Sequence, residues 1–149
     1  MSKKLEVRKS TGKGFGVFCT SDIKIGEVVI VSKPVMELPN RTAYSVQVDW
    51  NKHILTDKPA YFVNHSCDPT AGVKPNNYGS YDFVTRKNLL AGSEITVCYS
   101  TTEYEIVGFS KCFCGSRNCL KKITGWKKLS SIKKENLYRR RLCRSVSAK

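Results

Sequence analysis

The sequence contains no apolar run of about eighteen residues or more, the length a membrane-crossing helix needs. Its opening, Met1-Ser-Lys-Lys-Leu-Glu, lacks the apolar stretch of a secretory signal. An intracellular protein with no membrane partner is therefore expected: nuclear in a eukaryote, cytoplasmic or nucleoid-associated in a microbe. Internal repeats and low-complexity linkers are also absent, and 149 residues suit one compact domain. The cysteine count is seven, and an odd number in a chain without a signal argues against a complete disulfide framework. Acidic residues are scarce in one region only. Residues 1–110 hold 13 Lys/Arg against 11 Asp/Glu, whereas residues 111–149 hold 13 against one, Glu135. Nearly all of the formal charge of +14 belongs to that C-terminal part. Such a block suits an anionic partner, nucleic acid before a membrane surface, or else a solvated tail.

What is present reads mainly as β-structure. Leu5-Glu-Val-Arg, Tyr81-Asp-Phe-Val-Thr-Arg86 and Tyr44-Ser-Val-Gln-Val-Asp-Trp50 alternate, the last with Tyr44, Val46, Val48 and Trp50 on one face. Val17-Phe-Cys19 follows a glycine-rich turn, and Glu27-Val-Val-Ile-Val31 suits a buried strand. Gly92 marks a turn before Glu94-Ile-Thr-Val-Cys-Tyr99. Short strands separated by Gly and Pro predict small sheets. From Trp126 to Arg144 the composition fits a helix, with Glu135 and Arg139 four residues apart.

Three cysteines fall within eight residues, Cys112-Phe-Cys114-Gly-Ser-Arg-Asn-Cys119, a C-x-C-x₄-C pattern. Thiolates are the usual ligands of structural zinc, which takes four in a tetrahedron. Gly115 permits the tight reversal of such a knuckle, and Cys67 is the favoured fourth ligand. The alternative is a set of free or partly oxidised thiols. Four thiolates leave zinc no open position, so the metal would hold a loop and could not activate water. Cys98 reads as a core residue; Cys19 and Cys143 have no visible partner.

Four stretches in order resemble the SET-domain family of protein lysine methyltransferases: Gly14-Phe-Gly-Val-Phe18, Asn64-His-Ser-Cys-Asp-Pro69, Glu94-Ile-Thr-Val-Cys-Tyr99 and the cysteine segment. The likeness covers about residues 4–126. It implies a mainly β fold, a β-clip of several small curved sheets with a pseudoknot, followed by a C-terminal zinc loop and a short helix. The implied parts are a SET domain at 4–108, a post-SET zinc segment at 109–126 and a basic tail at 127–149. The implied reaction transfers a methyl group from S-adenosylmethionine to a lysine nitrogen of a histone or other DNA-associated protein. By the resemblance Gly14, Phe15, Gly16, Asn64, His65 and Trp126 contact the cofactor. Tyr99 is the catalytic tyrosine and also borders the cofactor, while Tyr44 and Val97 line the lysine channel. One structural Zn²⁺ is expected on Cys67, Cys112, Cys114 and Cys119.

The sequence departs from the family at Val97-Cys98, where an aromatic and Asp are common, at Thr70, and at Lys121-Lys122. The insert at about residues 33–60 is short, which implies a minimal peptide groove. The competing reading is a non-catalytic, zinc-containing module that binds nucleic acid or chromatin. It accounts for the cysteines and the basic tail, but leaves Asn64-His65 and Tyr99 unexplained.

Overall fold

In the computed structural model, which describes residues 4–108 and 111–139, the strand-forming segments make three small sheets. Sheets this small are not stable alone, so each must bury one side against the others. The first contains β1 (Leu5–Ser10), β2 (Gly14–Cys19), β10 (Glu94–Val97) and β7 (Asn64–His65), in the order β1-β2-β10-β7. β1 and β2 are antiparallel, with Ser10 opposite Gly14. Gly12 and Gly14 at this reversal have φ of +73° and +72°, a region that side chains disfavour. β10 runs antiparallel to β2 and parallel to β7, pairing Thr96 with Asn64 and Val97 with His65. This crossover sets side by side two motifs that the sequence separates by about thirty residues.

The second sheet has the order β3 (Val28–Val31), β9 (Tyr81–Thr85), β8 (Ala71–Pro75); the third is β4 (Pro34–Leu38), β6 (Lys52–Thr56), β5 (Val46–Asp49). The main core lies between the sheets and includes Val17, Ile23, Ile30, Val63, Tyr81, Phe83, Ile95 and Val97. The buried Tyr81 hydroxyl donates to Gln47 O at 2.5 Å, tying the second sheet to the third.

Several expectations are corrected. The glycine-rich turn ends earlier than expected: Gly12 lies in it, while Gly14 opens strand β2 and Gly16 continues it. β3 is only partly buried: Ile30 points inward while Val28 and Val31 are exposed. The face of the 44–50 segment is reversed at its ends and centre. Tyr44 and Trp50 are exposed and Gln47 is 2% exposed. A buried amide is tolerable only when fully bonded. Gln47 meets that condition: its N–H donates to Glu103 Oε2 at 2.9 Å, its Nε2 to Trp50 O at 3.0 Å, and its Oε1 accepts from Tyr104 N at 2.9 Å. These bonds fasten the insert to the segment after Tyr99. Strands β4, β6, β7 and β8 were not foreseen.

The C-terminal helix begins later than expected. A 3-10 turn covers Trp126–Lys128, and α1 spans Ser131–Arg139, capped by the Ser130 hydroxyl accepting from Lys133 N at 3.2 Å. Arg140–Arg144, Cys143 and the boundary expected after residue 108 border on or lie outside the described residues. Cys98 is a core residue as expected, and it forms a second small cluster with Trp126 and Leu137. Cys19 is 1% exposed and its thiol donates to Leu90 O at 3.2 Å.

The segment around Trp126 docks by backbone. Trp126 N donates to Glu103 O at 2.9 Å and Lys127 N to Tyr104 O at 3.1 Å, and the Ser100 hydroxyl donates to Thr124 O. Gly125 makes this approach possible: a Cβ there would overlap Tyr104 O and stand 2.6 Å from Glu105 Cα. Backbone on both sides cannot yield as a flexible side chain would. Gly125→Ala is therefore expected to cost roughly 1–3 kcal/mol and lower the melting temperature of the zinc-loaded protein by about 3–10 °C. An unchanged melting curve would show that the contact is not what holds the tail.

Candidate active site and metal centre

The β1–β2 turn, the 3-10 turn Ala60–Phe62 leading into β7, and the 3-10 turn Tyr99–Thr101 after β10 surround one cavity of about 500 Å³. That volume lies in the range, roughly 300–1,000 Å³, typical of small-molecule sites. Gly14, Phe15, Asn64, His65, Tyr99 and Tyr44 line it. Gly16, Val97 and Trp126 do not. Val97 is buried in the main core and Trp126 lies 3% exposed against Cys98 and Leu137. Gly16 stands one layer behind the wall, where a Cβ would overlap the Glu94 carboxylate and come 3.0 Å from Asn64 Nδ2.

Asn64 is held in one orientation. Its amide nitrogen donates to Phe15 O at 2.8 Å and to Glu94 Oε1 at 2.9 Å. With both amide protons engaged, its carbonyl oxygen is the atom it can offer a ligand. His65 accepts from Tyr99 N at its Nδ1, 3.0 Å away, so its ring proton belongs on Nε2, which lies 3.6 Å from Cys67 Sγ. Burial, reinforced by the Lys13 ammonium, lowers its pKa to about 4, so the ring is neutral. Tyr99 donates its hydroxyl proton to Val63 O at 2.8 Å. Burial first, then the Glu103 and Glu94 carboxylates, push its pKa well above the tyrosine range, so the hydroxyl stays protonated.

The four foreseen cysteines converge. The sulfurs of Cys67, Cys112, Cys114 and Cys119 all lie within 4.8 Å of one another, with Cys67 and Cys112 at 3.7 Å. Four sulfurs about 2.3 Å from a tetrahedral zinc would stand about 3.8 Å apart, so the set fits that ion. Gly115 turns the knuckle with φ of +74°, and a bridge between Lys111 and Lys122 closes its base. Leu120 N and Lys121 N donate to Cys67 and Cys119 at 3.5 and 3.3 Å, bonds that favour thiolate sulfur. Burial raises the Cys112 thiol to about 11 and raises Cys67 as well. At Cys114 burial is outweighed by the Ser116 hydroxyl and neighbouring donors, which bring the thiol to about 5. Four adjacent thiolates repel each other, so full deprotonation needs a cation between them.

The sequence reading missed several wall residues. The knuckle itself lends Lys111, Cys112, Phe113 and Ile123 to the cavity, and Lys13, Tyr61, Glu103 and Glu105 also border it. Phe113 is 66% exposed, an aromatic face turned to solvent and cavity. Its place between two ligands was the available signal, since a residue between two metal-bound neighbours has its direction set by them.

Comparison with known proteins agrees with this geometry. Residues 14–100 match the sequence pattern of the SET domain. Over 88 residues the chain is 35% identical to methyltransferase flvH of Aspergillus flavus, covering 58% of this chain and 48% of that one. It is 38% identical over 66 residues to histone-lysine N-methyltransferase met-2 of Caenorhabditis elegans, covering 39% of this chain and 5% of the relative. The chain thus spans less than half the length of the curated relatives it matches. Among solved structures, the methyltransferase domain of human histone-lysine N-methyltransferase SETMAR superposes with a TM-score of 0.63 at 15% identity, covering 81% of this chain and 58% of that one, a likeness of fold. KRYPTONITE in complex with mCHG DNA and SAH superposes with a TM-score of 0.58 at 25% identity, covering 80% and 28%.

Proposed function

The chain belongs to the SET-domain family, and from that premise we propose that it is a protein-lysine N-methyltransferase that uses S-adenosylmethionine, with a histone or other chromatin protein as substrate. The observation that carries this reading is the convergence of Asn64, His65 and Tyr99 on one cavity that the cysteine knuckle also lines. The cavity suits the cofactor chemically. The Asn64 carbonyl and the Lys13 ammonium make an acceptor and a cation for the two ends of an amino acid, and the exposed Phe113 ring offers a face for a base. The Gly14–Phe15 backbone and His65 complete the wall. S-adenosylmethionine supplies an electrophilic methyl group on a sulfonium, so no covalent enzyme intermediate is required.

The chain's own task is then positioning. A lysine side chain, with a reference pKa of about 10.4, must arrive neutral. Tyr44, Val46, Tyr61, Phe62 and Val63 give an apolar wall that disfavours the ammonium form. Glu103 and Glu105 on the same cavity favour a cationic side chain over an anionic one at entry. Because the Tyr99 proton is committed to Val63 O, its oxygen acts toward the substrate as an acceptor for an amine N–H and so aligns the nitrogen. Zinc, held by the four cysteines, would fix the knuckle wall without touching the reaction.

The test is transfer of label from S-adenosylmethionine to lysine in zinc-loaded protein offered histones and nucleosomes. Label on lysine is the expected result; a protein that binds no cofactor when zinc is loaded would favour the non-catalytic binding module.

The basic segment has a reading of its own. Residues 111–134 hold eight Lys/Arg and no Asp/Glu, and Lys111 and Lys122 stand opposite each other across a bridge. Like charges so placed repel unless a counter-anion lies near. We read this face as a phosphate contact for the DNA that carries the substrate, in an intracellular, chromatin-associated protein. Duplex affinity should fall steeply with salt, with a log–log slope of about −0.9 per phosphate neutralised, and Lys111→Ala with Lys122→Ala should flatten the slope. Salt-independent binding would overturn the reading.

A further inference from the structure

Glu94 opens the motif that ends in Tyr99, yet its carboxylate does not reach the cavity. It sits one layer behind, in the space that Gly16 leaves by having no Cβ. There it accepts from Asn64 Nδ2 at 2.9 Å and from the buried Ser10 hydroxyl at 3.2 and 3.3 Å. The Lys13 ammonium lies 3.9 Å from its other oxygen and donates to His65 O at 3.4 Å. The Lys13 and Glu94 side chains are only 16% and 18% exposed, so solvent screens the pair weakly.

Two of these partners, Asn64 and Lys13, face the cavity. An amide can present either its oxygen or its nitrogen to a ligand, and the geometry of the amide alone does not choose. Acceptors behind it, Phe15 O for one proton and Glu94 Oε1 for the other, force the nitrogen backward and the oxygen forward. A carboxylate with no proton can play no other part. The same charge holds the Lys13 ammonium at the rim. Together they present one acceptor and one cation side by side, the complement of an ammonium and a carboxylate on one ligand.

We propose that Glu94 is a positioning residue that, through Asn64 and Lys13, makes the cavity selective for the amino-acid end of the cofactor. Gly16 serves this arrangement by making room for the carboxylate. The inference rests on the cofactor assignment proposed above and adds to it a division of labour: recognition of the zwitterion depends on Glu94, recognition of the nucleoside does not.

Two ligands separate these parts. S-adenosylhomocysteine carries the nucleoside and the amino acid; 5′-methylthioadenosine carries the nucleoside with a methylthio group and no amino acid. Both are titrated calorimetrically into zinc-loaded wild type and Glu94→Ala, with melting temperature and zinc content checked. The expected result is a loss of about tenfold or more in affinity for S-adenosylhomocysteine, with 5′-methylthioadenosine unchanged within about twofold. If the alanine variant does not fold, Glu94→Asp serves, since it keeps the charge but withdraws it by one bond length, about 1.5 Å. The same contrast between ligands is then expected, with a smaller loss. Equal losses for both ligands, or no loss for either, overturn the proposal while the cofactor assignment stands. Wild-type protein that binds neither ligand overturns both.

Discussion

Removing the metal from the Cys67–Cys112–Cys114–Cys119 cluster is expected to weaken cofactor binding by about tenfold or more while leaving the sheets folded. The reason is the composition of the knuckle. Between residues 111 and 124 only Cys112 is buried, so this stretch has almost no apolar core to hold it. Metal–thiolate bonds must supply what burial does not. The same stretch gives the cavity Lys111, Cys112, Phe113 and Ile123. Without zinc, two thiols raised by burial and one lowered by its donors cannot share the charge that holds the fold of the loop. The main core of Val17, Ile23, Tyr81 and Ile95 lies elsewhere and does not depend on it. The link also has a short route to the reaction centre, because Cys67 Sγ meets His65 Nε2 and His65 Nδ1 accepts from Tyr99 N. S-adenosylhomocysteine affinity before and after chelation, with zinc loss verified and the far-ultraviolet β signal recorded, decides the matter. Unchanged affinity in verified zinc-free protein would refute the coupling.

Replacing Tyr99 with Phe is expected to lower kcat for methyl transfer by about 10²–10³-fold while cofactor affinity stays within about twofold. The substitution removes only the oxygen proposed above to align the amine. Tyr99 N still donates to His65 Nδ1, so the histidine and the cofactor wall remain as they are. Val63 O loses its donor, which costs roughly 1–2 kcal/mol of stability, too little to explain a rate loss of that size. The pH profile offers a second readout. The Tyr99 pKa is raised, so its proton is retained to higher pH than an ordinary tyrosine retains it. The rate should therefore rise with pH as the substrate lysine deprotonates, with no fall below about pH 10 from tyrosine ionisation. A Phe variant as active as wild type would remove Tyr99 from the mechanism.

The chemistry-bearing residues were legible in the linear sequence because each belongs to a short pattern with its own physical demand. Metal binding needs several thiolates, and three of them lie within eight residues. Asn64-His65 and Tyr99 were recognisable from the company of their neighbours, and the cavity brings them together. Strands β1 and β9, which alternate in sequence, and β10, which follows the turn at Gly92, were readable because those signals are local. Trp126 had no such pattern, and an aromatic near a zinc loop can turn toward a ligand or into a core. Here it packs on Cys98 and Leu137.

Other features depend on partners remote in the chain, and no local pattern encodes those. Gln47 is buried because Glu103 and Tyr104, more than fifty residues on, satisfy its polar groups; alternation alone assigns that face to Tyr44 and Trp50. Val28 and Val31 are exposed because the main core meets β3 at Ile30 and partly at Val29, and where a core meets a strand is a property of topology. Gly125 and Gly16 look alike as letters. The first admits the backbone of Tyr104 and Glu105, and the second admits the carboxylate of Glu94. The cysteine cluster could thus be named from residue type and spacing, and Tyr99 from the resemblance of its motif to the SET-domain family. Which way Asn64 faces, what stands behind it and which residues wall the cavity were decided only when β10 came to lie between β2 and β7, since hydrogen bonds and steric exclusion act across space and not along the chain.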